Sequence, residues 1–255
     1  MAKPLGKPSI KSAIVPLVKP HGKVADNRQI TVGVAFATWL AGWLGGNVLA
    51  SVFLGVSGKQ HLATNLRPGW VTLGLSLCLW VPQLVALFVV SRNFASGAPF
   101  VDYKLAFRPI DLVGIPIGLA CQMLLVGLYW PLRHAWPSTF SQKALEENAR
   151  DLYRSVHGIW IAVLVVLIAV AAPIVEELVY RGLIHAALMR KLSTPVAVIA
   201  SAAFFALIHF RPIELPGLFA FGVVLAICLS KTGRIGMSIA AHMTFNATAL
   251  YLVSR

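Results

Sequence analysis

The chain has 255 residues, of which 58% are hydrophobic and 12% charged, about half the charged share of a soluble domain. One water-facing core of this length cannot hide so much apolar surface, which excludes a soluble globular fold, whereas a bilayer accepts Leu, Val, Ile and Phe as neighbours of lipid. The formal charge of +13 comes from 22 Lys and Arg against 9 Asp and Glu. It falls in short loops and the N-terminal segment, with no basic patch interleaved with stacking aromatics. This reads as membrane orientation and contact with anionic lipid headgroups, not as nucleic-acid binding.

Residues 1–29 hold Lys3, Lys7, Lys11, Lys19, Lys23 and Arg28 among prolines and glycines. No apolar stretch of about 7–15 residues precedes residue 30, so a flexible, basic cytoplasmic tail is expected and not a signal peptide. The first apolar run covers about 30–57, with Gly42 and Gly46 at a spacing that lets helices approach closely. The second covers about 69–91 and the third about 110–130, with Gly114 and Gly118. Residues 131–155 form the longest polar insert, carrying Glu146, Glu147, Arg150, Asp151 and Arg154. A fourth run starts near 156, passes Pro173 and continues as helix to about Lys191, where Ser193-Thr194-Pro195 marks a new helix start. The fifth, sixth and seventh runs cover about 195–210, 215–230 and 235–254. Cys78, Cys121 and Cys228 each lie inside an apolar run without CxxC or CxH spacing, and read as small core residues.

The expected fold is therefore an all-α polytopic integral membrane protein. It has a single transmembrane domain over 30–255 with about seven spans, six to eight being compatible with the run lengths. With the N-terminus inside, the inner segments carry 14 of the 22 Lys and Arg, which favours a cytoplasmic N-terminus.

Ionisable groups inside membrane helices are costly and point to function. Here they gather in the last third of the chain, within 173–250, as Glu176, Glu177, Arg181, His209, His242 and Asn246. Adjacent glutamates differ in direction by about 100° on a helix, so Glu176 and Glu177 are expected to face different places. Arg181 lies four residues after Glu177 and can pair with it, leaving Glu176 to point into a cavity. Two carboxylates in unlike environments are a common basis of acid–base chemistry. If the helix turns back at 193–195, Glu176 and His209 are equally far from the turn and reach the same height. His242 and Asn246, at i and i+4, project from one face of the last helix. Taken singly, Glu177–Arg181 reads as a structural ion pair, His209 as a helix-end histidine and Asn246 as interhelical glue. As one cluster in an otherwise apolar chain they offer water activation and oxyanion stabilisation.

The run Glu176-Glu177-Leu178-Val179-Tyr180-Arg181 also resembles the EExxxR signature of the CAAX protease and bacteriocin-processing family, also called the ABI family. Phe205-Ala206-Leu207-Ile208-His209 resembles its second motif, FxxxH, and His242-Met243-Thr244-Phe245-Asn246 its third, HxxxN. The resemblance covers the C-terminal third of the chain. It implies an intramembrane glutamic endopeptidase acting on a membrane-associated or lipidated peptide, and points to a bacterial plasma membrane. Glu176 would be the general base with His209 assisting, His242 and Asn246 the oxyanion hole, and Glu177 and Arg181 supports. No cofactor is expected. Zinc is the rival, since a glutamate and two histidines could bind it, but no HExxH is present and the histidines sit on different helices. A bacteriocin-immunity protein that binds without cleaving, and a proton-coupled transporter, are the competing functions. Transport is disfavoured by the lack of a clear internal repeat.

Overall fold

The computed structural model describes residues 29–255, and their regular structure is entirely helical. The expected basic tail, apart from Gln29, lies outside the described residues. The helices are α1 (Val32–Ser57), α2 (Gly69–Phe94), α3 (Gly114–Ala135), α4 (Gln142–Arg154), α5 (Ile159–Leu188), α6 (Thr194–Leu207), α7 (Leu215–Thr232) and α8 (Gly236–Val253). A helical turn at Pro99–Asp102 and a 3-10 turn at Pro109–Val113 lead into α3. Five segments are long and apolar enough to cross a membrane: α1, α2, Pro109–Ala135, α5 and α7. The expected seven also counted α6, which has 14 residues, and α8, whose 18 residues include His242, Thr244, Asn246 and Thr248.

The polar insert is not a plain loop. Ser141 takes the N-cap position of α4 and its hydroxyl accepts from the Ala144 N–H at 3.2 Å, satisfying one of the free donors of a first turn. Ala149, Leu152 and Tyr153 then pack on Val156, Leu164, Leu250 and Val253, while Lys143, Glu147 and Arg154 are exposed.

Small residues set the helix contacts. Gly42 and Gly46 press α1 against Gln83 and Leu79 of α2, and Gly114 and Gly118 press α3 against Met237 and Ala241 of α8. A buried pair fastens the same end of α3: Arg234 donates through Nε and Nη2 to the two oxygens of Asp111, at 2.8 Å each. Asp111 is fully buried and also accepts from the Arg108 N–H at 2.7 Å.

Helix α5 runs past Pro173, as the sequence suggests, but by widening its hydrogen-bond register to π over Leu167–Ala171 and again over Glu177–His185. Proline has no N–H and cannot serve the carbonyl behind it. The Ala172 N–H instead donates to the Leu167 carbonyl, five residues back. The next carbonyl in that register, Ile168, would look to Pro173 and finds no donor there. A side chain from α8 supplies one, as described below. Ser193 takes the N-cap position of α6, with its hydroxyl making no cap bond and Pro195 in the first turn.

Candidate active site

The polar residues of the last third converge on α5, α6 and α8. Glu177 and Arg181 pair as expected, Nη1 to Oε1 at 3.1 Å, with side chains 0% and 1% exposed. Arg181 also donates to the Gly222 carbonyl at 3.3 Å, and its guanidinium lies 4.4 Å from the centre of the Phe205 ring. A buried charge is tolerable only when so surrounded.

His242 joins the two glutamates. Its Nδ1 is 2.9 Å from Glu177 Oε1 and its Nε2 is 3.7 Å from Glu176 Oε2. A carboxylate oxygen accepts, so Nδ1 carries a hydrogen and Nε2 is the nitrogen turned toward Glu176. The expectation that the adjacent glutamates serve separate places is therefore half met. They do diverge, Glu177 being buried and Glu176 26% exposed, yet one imidazole reaches both because its nitrogens lie on different edges of the ring.

Asn246 sits one turn further along α8 and donates through Nδ2 to the Ile168 carbonyl at 3.0 Å. That is the carbonyl the proline-induced π turn leaves without a backbone donor. The bond fixes the amide and leaves the second Nδ2 hydrogen free. His209 lies just past the end of α6, partly buried, with Nδ1 2.7 Å from the Phe205 carbonyl. A carbonyl can only accept, so Nε2 is left as an acceptor.

The α5–α6 hairpin matches the spacing argument closely. His185 lies opposite Ser201 and Arg181 opposite Phe205, a register that sets residue 177 against 209 and so differs by one from the expected pairing of 176 with 209. No hydrogen bond joins His209 to Glu176 among the described residues; the ring of Phe205 stands between His209 (4.8 Å) and His242 (6.0 Å).

Residues 158–248 match the family model described as type II CAAX prenyl endopeptidase Rce1-like. Over that range the chain resembles the CAAX proteases. The matched range contains all three motifs read from the sequence, and α5 to α8 supply its helices. Comparison with curated proteins and with solved structures gives no match.

Three residues of the matched segment were not singled out from sequence. Phe205 was noted only as the first letter of a motif, but it is 1% exposed and touches Tyr180, Arg181, His209 and His242. Phe221 backs His242 edge-on at 5.3 Å and stacks on Phe245 at 3.9 Å, and no spacing signal marks it. His185 continues the Glu177–Arg181 face by one turn and bridges Ser201 of α6 (2.9 Å) and Ser230 of α7 (3.2 Å). Its i+4 spacing from Arg181 was the available signal.

Proposed function

We propose that the protein is an intramembrane endopeptidase that hydrolyses a peptide bond of a membrane-associated or lipidated peptide. The observation that carries this reading is the placement of His242 between a paired, buried glutamate and a partly exposed one, within a segment that matches a CAAX endopeptidase family.

In this account the Glu176 carboxylate takes a proton from water while the water oxygen attacks the scissile carbonyl. His209, whose Nε2 is an acceptor, holds the second hydrogen of that water. The carbonyl electron pair moves to oxygen, and the oxyanion accepts from His242 Nε2–H and from the free Nδ2–H of Asn246. Collapse of the tetrahedral species breaks the C–N bond, and the leaving amine takes the proton from Glu176. Two carboxylates against one guanidinium leave the cluster one negative charge, and a proton on His242 Nε2 balances it and supplies the donor. Glu177 and Arg181 position His242 rather than touching substrate.

The reaction is written without a metal, because among the described residues no three His, Cys, Asp or Glu side chains converge as a metal site would need. With α6 and α8 counted, the bundle has seven membrane segments, with the N-terminus on the cytoplasmic side of a bacterial plasma membrane. The test is purified protein in vesicles with a membrane-anchored peptide, before and after chelation and dialysis. Cleavage is expected to survive chelation. Loss on chelation with recovery on adding zinc overturns the metal-free mechanism but leaves the peptidase reading standing; no cleavage of any peptide offered in either state counts against the peptidase.

A further inference from the structure

A cavity of about 340 Å³ lies further along α8 than His242 and Asn246, between α3, α4, the start of α7 and the end of α8. Its lining is mostly apolar, including Leu125, Val126, Leu145, Leu218 and Leu252. It exists because α4 packs its Ala149–Leu152–Tyr153 side on α5 and α8 and does not close down on α3. Gln122 and Arg133 line it on the α3 side. Eleven residues of helix separate them, roughly 16 Å, close to half the ~30 Å hydrocarbon thickness of a bilayer. The cavity thus extends over about one leaflet, with Arg133 at the end where Trp130 and Trp136 are exposed, as aromatics at a headgroup boundary are.

Arg133 is the group that asks for a ligand. Its Nε is buried and has no partner among the described residues. The two acids in the lining are already engaged. Glu146 accepts from Arg150 and from Gln142, with the Arg133 charge also near enough to help hold its carboxyl low, and Glu214 pairs with Arg211 at 3.0 Å. Burial also holds the Glu214 carboxyl above its usual range against the pull of Arg211 and His209. At the inner end, Oε1 of Gln122 is buried without a partner, so a chain that ran past it would gain nothing from that amide.

We propose that this cavity binds one acyl chain of an anionic amphiphile, its phosphate or carboxylate held by Arg133 and its chain lying along α3 as far as Gln122. The occupant would support the catalytic residues through the rings beside them. Phe245 lines the cavity and stacks on Phe221, the ring that backs His242. At the other end, Tyr129 donates to the Ile213 carbonyl at 3.0 Å and accepts from the Gly217 N–H at 3.1 Å, pinning the loop that carries His209. The site needs no peptidase activity to exist, and its test does not use one.

The experiment is native mass spectrometry of the full chain purified in detergent and titrated with dilauroyl phosphatidylglycerol, dilauroyl phosphatidylcholine or laurate. One phosphatidylglycerol per chain is expected to be retained. Arg133→Gln should weaken it about tenfold, the usual scale of a charge-assisted hydrogen bond, and Arg133→Lys should restore part of the loss. Ala249→Phe, which fills the cavity from α8, should remove binding. Displacement of the lipid by laurate identifies a free carboxylate as an accepted head group, and failure to displace identifies the phosphate ester; both keep the site. Equal retention of phosphatidylcholine and phosphatidylglycerol, or retention unchanged in both Arg133→Gln and Ala249→Phe, overturns it. Should Ala249→Phe fail to fold, the charge variants at the rim decide alone.

Discussion

Arg181→Met is a severe test of how the buried charges are held. The guanidinium is 1% exposed and is the positive partner of Glu177, itself 0% exposed. Methionine keeps much of the volume but leaves a fully buried carboxylate with only His242 beside it. It also removes the bond to the Gly222 carbonyl and the contact with the Phe205 ring. Breaking one side of a buried pair costs about 3–5 kcal/mol, which for a chain of this size lowers the unfolding temperature by roughly 6–20 °C. Cys228 is 5% exposed in α7, so the rate at which it meets a thiol-reactive dye on heating reports the loss of packing. The double variant Glu177→Gln/Arg181→Met removes both charges and is expected to recover most of the loss, since the penalty lies in the orphaned charge. The partly exposed pair Glu146–Arg150 serves as the control, with side chains 25% and 34% exposed and an expected cost of about 0.5 kcal/mol or less on cutting it. If Arg181→Met is as mild as Arg150→Met, or if the double variant is worse than the single, the reasoning about the buried pair is wrong.

Other outcomes follow from the same geometry. Asn246→Ala removes one of the two proposed oxyanion donors and should lower kcat about 10²–10³-fold with a far smaller change in KM, read on a cleavable membrane peptide; a loss confined to KM would refute the donor role. Gly118→Val drives a Cβ into the Ala241 carbonyl oxygen and should cost about 1–3 kcal/mol by forcing α3 off α8, measurable by the same thermal assay, with no change contradicting the packing described. Burial works against the charge on Asp102, but hydrogen bonds from Ser91 and Ser96 outweigh it and hold the carboxyl below its usual value. A depressed folded pKa gives stability that is present above the unfolded value and lost as pH falls through the folded one. Asp102→Asn should therefore flatten the fall in thermal stability between about pH 5 and pH 3, and an unchanged slope would count against the role given to the Ser91 and Ser96 hydrogen bonds.

Much of this was legible from apolar run lengths, because hydrophobic length is what a bilayer selects. The seven runs recur as α1 to α3 and α5 to α8, and the hairpin spacing around Ser193 set the register of α6 on α5 to within a residue. Helix α4 was hidden by its polar composition, although Ser141 stood ready as its cap. The π segments of α5 were hidden for a different reason. Apolar periodicity reports which face is buried, not which carbonyl each N–H meets, and only Pro173 hinted at the change. The contact of His242 with Glu177 spans 65 residues of sequence, and no local spacing rule reaches that far. The same holds for Phe221, which matters only because α7 brings it behind His242.

The central claim is that Glu176 activates water for peptide hydrolysis. The direct measurement compares peptide termini in host membranes carrying the wild-type protein or Glu176→Ala at matched abundance. The account predicts new termini with the wild type alone, which would also name the substrate. Equal termini from both proteins, with a host phenotype that both still rescue, would contradict it and favour a protein that binds without cleaving.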